Sequence, residues 1–277
     1  MILKTISRIG NSLSEALFPL RCAACGILME PGPADFQTST GTLTRLSAEN
    51  VFRLVMGPHL CSGCLDDFTA IEPPYCTKCG EPFKSRTSRD HLCGDCITGK
   101  KHFSCARAFA IYDGAVLKLI HAYKYKGRTG LAKPLAALVY AAFLRHFDSN
   151  GIDLALAVPL HKKRLRSRGF NQAHLMIRHM IEAAKKGGLP WHTKITFDTD
   201  SLVRCRNTAT QTGLERGRRI KNIKNAFEVR SPEKIAGKNI LLVDDVFTTG
   251  STCEECARVL GEAGAASVCV LTLARTV

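Results

Sequence analysis

The sequence has no long apolar run. Nowhere do about 18 hydrophobic residues follow one another, the length a membrane-crossing helix requires. Met1 to Leu20 offers only fragments such as Ala16-Leu17-Phe18, broken by Asn11, Ser12, Ser14 and Glu15, so a secretory leader is not expected. Both absences point to the cytoplasm and to a chain without membrane insertion. Acidic residues are scarce where basic ones crowd. Lys101 to Arg230 holds about 25 Lys or Arg against about 8 Asp or Glu, and the net charge of +15 is concentrated there. That imbalance implies an anionic ligand, either nucleotide-like phosphates or nucleic acid. No helix-turn-helix or other base-reading motif accompanies it, and no hood for a nucleobase can be read. Periodic apolar pattern is missing between Cys22 and Cys96, where Pro31, Pro33, Pro58, Pro73, Pro74 and Pro82 fall instead. Such a stretch cannot bury much of a core unaided.

What that stretch does have is cysteine. Of 13 cysteines, eight form four Cys-x-x-Cys pairs: Cys22/Cys25, Cys61/Cys64, Cys76/Cys79 and Cys93/Cys96. Disulfide frameworks rarely show that regularity, whereas tetrahedral metal sites need it. Each pair sets two thiolates on one tight turn, and two such knuckles complete a four-sulfur shell around Zn²⁺. Gly26, Gly80 and Gly94 beside the pairs suit turns that need positive φ. Two pairings fit the sequence. A sequential one joins 22/25 with 61/64 and 76/79 with 93/96, although about 35 residues separate the first two pairs and a usual ribbon has roughly 15–20; the other is crossed. Closed all-sulfur coordination leaves no position for substrate, so two structural Zn²⁺ are expected. Cys253 and Cys256 repeat the spacing but have no second pair, and read as small residues packing on one helix face.

From about Phe103 the texture changes to apolar runs alternating with amphipathic segments. Ala106–Tyr112, Leu154–Val158, Leu202-Val203, Phe227–Val229, Ile240–Val243 and Val268–Leu273 read as strands. Leu131–Phe147, Asn171–Lys185 and about Thr252–Ala263 read as helices. The order predicts an α/β fold, a mostly parallel sheet flanked by helices, behind a small zinc-binding domain. The expected division is residues 18–100 and 101–277, with Pro31–Asn50 as a flexible insertion.

The chemistry gathers after one strand. Ile240–Val243 leads into Asp244-Asp245, Val246-Phe247 and then Thr248-Thr249-Gly250-Ser251-Thr252 at a helix start. Backbone N–H groups of Thr249–Thr252 can cradle a phosphate monoester, Gly250 permits close approach, and the hydroxyls add donors. Adjacent carboxylates accept hydrogen bonds from two ribose hydroxyls and balance a developing oxocarbenium charge.

This arrangement resembles the 5-phosphoribosyl-1-pyrophosphate (PRPP) motif of type I phosphoribosyltransferases. Leu156-Ala157-Val158-Pro159-Leu160-His161, then Arg164, Arg166 and Arg168-Gly169-Phe170-Asn171-Gln172, resemble the corresponding strand and loop of the competence protein ComF family, also called GntX-like proteins. Gln211, Leu214, Arg216, Arg219, Asn222, Ala226 and Phe227 match that family's next segment, and Tyr123 to Arg128 its Lys-Tyr-x-Gly-Arg element. With the double zinc ribbon in front, the likeness runs from Phe18 to Arg275. Lys162 departs from it, standing where many relatives have Pro, and Pro31–Met56 is longer than the usual spacer.

The resemblance implies binding of PRPP with Mg²⁺ at Asp244, Asp245, Thr248, Thr249, Gly250, Ser251 and Thr252, with Asp244 and Asp245 catalytic if phosphoribose is transferred, which would make the protein a glycosyltransferase. His161, Lys162, Arg164 and Arg168 are suited to the diphosphate. Arg204–Arg219 has the composition of a mobile loop able to close over the site. Lys124, Lys126 and Arg128, interleaved with Tyr123 and Tyr125, allow base stacking beside phosphate contacts. The family further implies a role in natural competence. The alternative is a non-catalytic module that binds single-stranded DNA or senses PRPP, working with a DNA-uptake helicase.

Overall fold

The computed structural model describes residues 19–30, 40–84, 89–148, 151–187, 195–208 and 216–277. Within the cysteine-rich part lie four short helices, α1 (Thr40–Arg45), α2 (Ala48–Met56), α3 (Ser62–Asp66) and α4 (Gly94–Thr98). Then follow β1 (Cys105–Ile111), α5 (Gly114–Tyr125), α6 (Ala132–His146), β2 (Leu154–Ala157), α7 (Lys162–Arg168), α8 (Gln172–Lys186) and β3 (Thr196–Asp198). The chain continues through β4 (Leu202–Arg204), α9 (Arg216–Ile223), β5 (Phe227–Val229), α10 (Pro232–Ile235), β6 (Asn239–Phe247), α11 (Ser251–Glu262) and β7 (Ser267–Arg275).

Five strands form one parallel sheet in the order β1-β7-β6-β2-β3. Its central strands are apolar on both faces because helices cover both. Leu241 and Val243 of β6 join a core with α5, α6 and α8, while Ile240 and Leu242 face a second core with α11. Ten of the fifteen residues of α6 are buried, which is why its sequence is apolar nearly all round. β4 and β5 pair antiparallel in a separate two-stranded sheet. The expected parallel architecture is therefore present. The strands read from sequence are found within a residue or two, except that β6 runs on to Phe247; α5, α7 and β3 were not anticipated.

Pro31–Asn50 was expected to be a flexible insertion. Residues 31–39 lie outside the described residues, but from Thr40 the chain is helical. Ser47 caps α2 by accepting from Asn50 N at 3.2 Å. Ala48, Val51, Phe52, Val55 and Met56 then fall on one face, which packs into the core shared with α6. Each large apolar side chain so buried contributes about 1.5–3 kcal/mol. The Ser/Thr-rich run masked that periodicity.

The cysteine-rich part straddles the β1 edge of the sheet. Cys22 and Cys64 join the core on one face, and Cys76, Cys79, Cys93 and Cys96 the core on the other. Between them the chain runs alongside β1, with Ile111 N donating to Thr69 O at 3.0 Å and Ala106 N to Lys78 O at 2.7 Å. An otherwise open strand edge is thereby covered. At Gly80 a Cβ would stand 2.5 Å from the Ala106 carbonyl oxygen, so only glycine permits this approach. Arg275 at the end of β7 donates to the Cys79 carbonyl.

Candidate functional site

β6 stays paired with β7 as far as Phe247 opposite Arg275, but its pairing with β2 stops at Val243 opposite Ala157. Asp244 and Asp245 thus stand where the sheet opens, at the carboxyl end of a parallel strand and beside a strand that has ended. Ligand sites of α/β sheets form in such crevices. The loop after β6 turns sharply into α11 through Gly250, whose φ is +72°. The Phe247 ring comes within 2.3 Å of the place a Cβ would take, so position 250 excludes side chains on two counts. Thr249 Oγ1 lies 3.0 Å from Ser251 Oγ and accepts from Ser251 N at 3.4 Å, which holds the loop closed on itself.

A cavity of about 660 Å³ opens above these residues. The aspartates, Thr248 and Thr252 line it together with Arg164, Arg168 and Arg204, whereas Thr249 lines a separate cavity beside the second group of cysteines and Gly250 and Ser251 do not line this one. The basic segment after β2 was read as a loop. It is instead the helix α7, capped by His161 accepting from Lys163 N at 3.2 Å and ended by Gly169 at φ +83°. On a helix, residues four apart share a face, so Arg164 and Arg168 reach the cavity together, while Lys162 and His161 do not line it. Arg168 donates to Gln172 Oε1 at 2.7 Å and lies 5.3 Å from the centroid of Tyr125.

Charge inside the cavity is arranged in an asymmetric pair. Lys124 Nζ is 2.7 Å from Asp245 Oδ1, with side-chain exposures of 17 % and 10 %. Burial works against the Lys124 ammonium, and Asp245 more than offsets it, so its pKa is raised. Asp244 accepts from Asp245 N at 2.8 Å. Burial, then the neighbouring Asp245 charge, push its carboxyl up to about 7 against the pull of Lys124. One carboxylate therefore has a dedicated cation, while its neighbour is poised to exchange a proton near neutrality, the property a ligand-responsive acid-base group needs.

Sequence reading gave two members of this site a different role. Lys124 was read, with Lys126 and Arg128, as a phosphate contact beside stacking tyrosines, yet it is the counterion of Asp245. Arg204 was placed in a mobile loop, but it ends β4, is buried, lies 5.3 Å from the Phe227 centroid and donates to Thr208 Oγ1. Its Nε has no hydrogen-bond partner among the described residues, and neither has Nε2 of the buried Gln172. Burial, then Arg164, hold the Arg204 guanidinium down to about 10. Two buried donors without acceptors at one cavity are a physical mark of a ligand rich in oxygen acceptors. The rest of the expected loop also differs: residues 209–215, including Gln211 and Leu214, lie outside the described residues, and Arg216–Ile223 is helical. Tyr123 is fully buried and donates to the Gln172 carbonyl, so of the two tyrosines in that segment it is Tyr125, 61 % exposed, that lines the cavity, beside Tyr112.

The cysteine pairs assemble sequentially. Cys22, Cys25, Cys61 and Cys64 form one tetrad and Cys76, Cys79, Cys93 and Cys96 the other, with all Sγ atoms of each within 4.8 Å of one another. Cys25 and Cys61 are 3.7 Å apart through sulfur, Cys79 and Cys93 3.6 Å, close to the roughly 3.8 Å edge of a tetrahedron with 2.3 Å Zn–S bonds. The two sites repeat one design. Gly26 (φ +82°) and Gly80 (φ +72°) close the first knuckle of each, whereas Cys61 and Cys93 precede short helices, which is where Gly94 lies. Bridges pair Arg21 with Leu28 and Tyr75 with Pro82 at the same offsets. The donors suit a divalent cation: burial opposes the Cys76 thiolate, but backbone N–H groups, first that of Cys93, outweigh it and lower its pKa to about 6. The same balance lowers Cys22 to about 6. Zn²⁺ held by these eight sulfurs would tie together loops that have few apolar contacts of their own.

Comparison with known proteins finds matches in both the cysteine-rich and the α/β parts of the chain. A double zinc ribbon domain matches residues 54–97 and a phosphoribosyl transferase domain residues 173–276. DNA utilization protein YhgH of Escherichia coli (strain K12) is 33 % identical over 221 residues, covering 78 % of this chain and 90 % of that protein. Competence protein F of Haemophilus influenzae is 30 % identical over 220 residues (78 % and 90 %), and competence protein ComFC of Streptococcus pneumoniae 28 % over 222 residues (78 % and 87 %). With two cysteine tetrads beside a phosphoribosyltransferase-type sheet and these relatives along most of its length, the chain belongs to the ComF family of competence and DNA utilization proteins.

Proposed function

We propose that the protein binds PRPP together with Mg²⁺ in the cavity at the end of β6, and that it acts there as a phosphoribosyltransferase in the handling of DNA. The observation that carries this reading is the coincidence, in one cavity, of Thr248 and Thr252 from the loop that starts α11, two adjacent aspartates at a strand end, and arginines that have no acidic partner among the described residues. The 5′-phosphate sits on Thr248–Thr252. Asp244 and Asp245 accept from the ribose hydroxyls, and Arg164 and Arg168 receive the diphosphate. Asp244 and Asp245 would be the residues able to hold Mg²⁺, which would supply positive charge to offset that of the diphosphate. As the C1–O bond breaks, the carboxylates stabilise positive charge on the ring, and the arginines stabilise the leaving diphosphate. Residues 18–100 serve as a metal-dependent module that braces residues 101–277.

Titration calorimetry of PRPP with and without Mg²⁺ tests the site. D244N/D245N keeps size and hydrogen-bonding capacity but removes charge, and should weaken PRPP tenfold or more, taking a charge-assisted hydrogen bond as about 1.5–3 kcal/mol. A folded double variant that binds as tightly as the parent would refute the assignment.

A second reading, single-stranded DNA binding, is favoured by one feature: Tyr125 is exposed at the cavity with Arg168 over its ring, a stacking platform beside cations. It calls for affinity that falls steeply with salt and hardly varies with sequence. Work alongside a DNA-uptake helicase belongs to this reading.

A further inference from the structure

Five cysteines lie outside the tetrads, and two of them are placed unlike the rest. Cys105 begins β1 and Cys269 lies directly opposite it on β7. Their sulfurs are 3.4 Å apart, closer than the 3.6 and 3.7 Å contacts within the tetrads, and both residues are only half-buried. The others offer no such pair. Cys253 and Cys256 are buried, and burial first of all pushes both thiols well above their ordinary range, while Cys205 is exposed with a backbone carbonyl as its neighbour.

We propose that Cys105 and Cys269 form a reversible dithiol–disulfide centre that responds to peroxide, with Cys105 as the attacking sulfur and Cys269 as the resolving one. The geometry supplies what such a centre needs: two sulfurs in contact, access for a small oxidant, and register partners on neighbouring strands, so that closing the bond asks little of the backbone. The two sulfurs are electrostatically unequal. The Cys105 thiol points at Cys269 Sγ, and the contact with Cys269 together with the Arg107 charge holds Cys105 down to about 7, against burial. The same contact raises Cys269, so when one of the two thiols ionises the charge is favoured on Cys105.

The chemistry balances. The Cys105 thiolate attacks one peroxide oxygen, the O–O bond breaks, and the departing hydroxide takes a proton to become water. Cys269 then attacks the sulfenic acid sulfur and displaces its hydroxyl as a second water. Two thiols lose two electrons, and one peroxide gains them.

The position gives the bond a consequence. Arg107, two residues along β1, donates to the Thr77 carbonyl at 2.9 Å and lies 5.1 Å from the Tyr75 centroid, so the dithiol adjoins the contact between β1 and the first knuckle of the second tetrad. A bond here joins residues 164 apart in sequence. It fixes the first strand of the sheet to the last.

The test uses the full-length, zinc-loaded protein exposed to equimolar hydrogen peroxide, followed by alkylation, proteolysis and mass spectrometry, with metal release followed in parallel. The expected result is a Cys105–Cys269 linked peptide formed before zinc is lost, reversed by dithiothreitol, and an upward shift in Tm that C105S and C269S both abolish. Dimedone should label Cys105 in C269S and leave Cys269 unlabelled in C105S. Zinc release with Cys105 and Cys269 still alkylatable would overturn the proposal, as would dimedone labelling of Cys269 in C105S.

Discussion

Lys124 on α5 and Asp245 on β6 form an ion pair of 2.7 Å across the wall of the cavity, 121 residues apart in sequence and both mostly shielded from water. A charge so enclosed is costly without its partner. K124M should therefore destabilise the protein by about 3 kcal/mol, read by urea unfolding. K124M/D245N should recover much of that loss, because the stranded charge is gone; additive losses would mean the pair is not coupled.

Asp244 gives a pH signature. Its carboxyl is raised from 3.8 to about 7 in the folded protein, so between those values the native state binds the extra proton. Stability should fall as pH rises through that window and level off above it. D244N removes the slope. The variant should match the parent near pH 4 and exceed it above pH 7, by an amount of order 1 kcal/mol or more. Parallel stability curves for the two proteins across the window would contradict this.

The phosphate loop can be probed on two independent levels. T249V removes a hydroxyl while leaving the aspartates untouched, so ribose 5-phosphate and PRPP should weaken together, by roughly three- to tenfold for one hydrogen bond of about 1 kcal/mol. G250A acts on the fold instead. It places a methyl group against the Phe247 ring at positive φ and should cost about 2 kcal/mol. F247L/G250A should regain part of this if the ring is the obstacle, and none if backbone conformation alone matters.

Metal analysis of reduced protein should return two Zn²⁺ per chain. Chelation should raise amide exchange first within residues 20–100, because the knuckles rather than apolar packing hold their turns. One equivalent, or exchange that rises uniformly along the chain, would not fit two structural sites.

The parts of the site that were legible in sequence are those where neighbours along the chain do the work. β6, the Thr248–Thr252 loop and α11 are one continuous stretch, and the cysteine pairs are each four residues long, so both could be read directly. Sequential pairing of the tetrads could not, since spacing fits either arrangement and only the approach of the sulfurs in space decides it. The helix α7 was missed because Lys162–Arg168 has almost no apolar residue to show a period; its existence is what selects Arg164 and Arg168 over Lys162. The partnership of Lys124 with Asp245, and the burial of Arg204, arise from elements packed together in space, which a linear pattern does not encode.

Arg275 connects two regions so far treated apart. It donates to the carbonyl of Cys79 in the second tetrad, and its guanidinium lies 5.4 Å from the centroid of Phe247, the ring that fills the space beneath Gly250. Metal coordination and the phosphate loop thus share a single load path. Thermodynamic linkage then requires reciprocity: if emptying the second tetrad weakens the anion held by the loop by some factor, occupancy of the loop must tighten zinc by the same factor. The first tetrad meets α5 and the chain just after it instead, through Arg128 donating to the Ala23 carbonyl at 3.5 Å and Lys118 paired with Asp67 at 2.9 Å, and not the phosphate loop, so the two metal ions, alike in their ligands, should differ in how they respond to what the cavity holds.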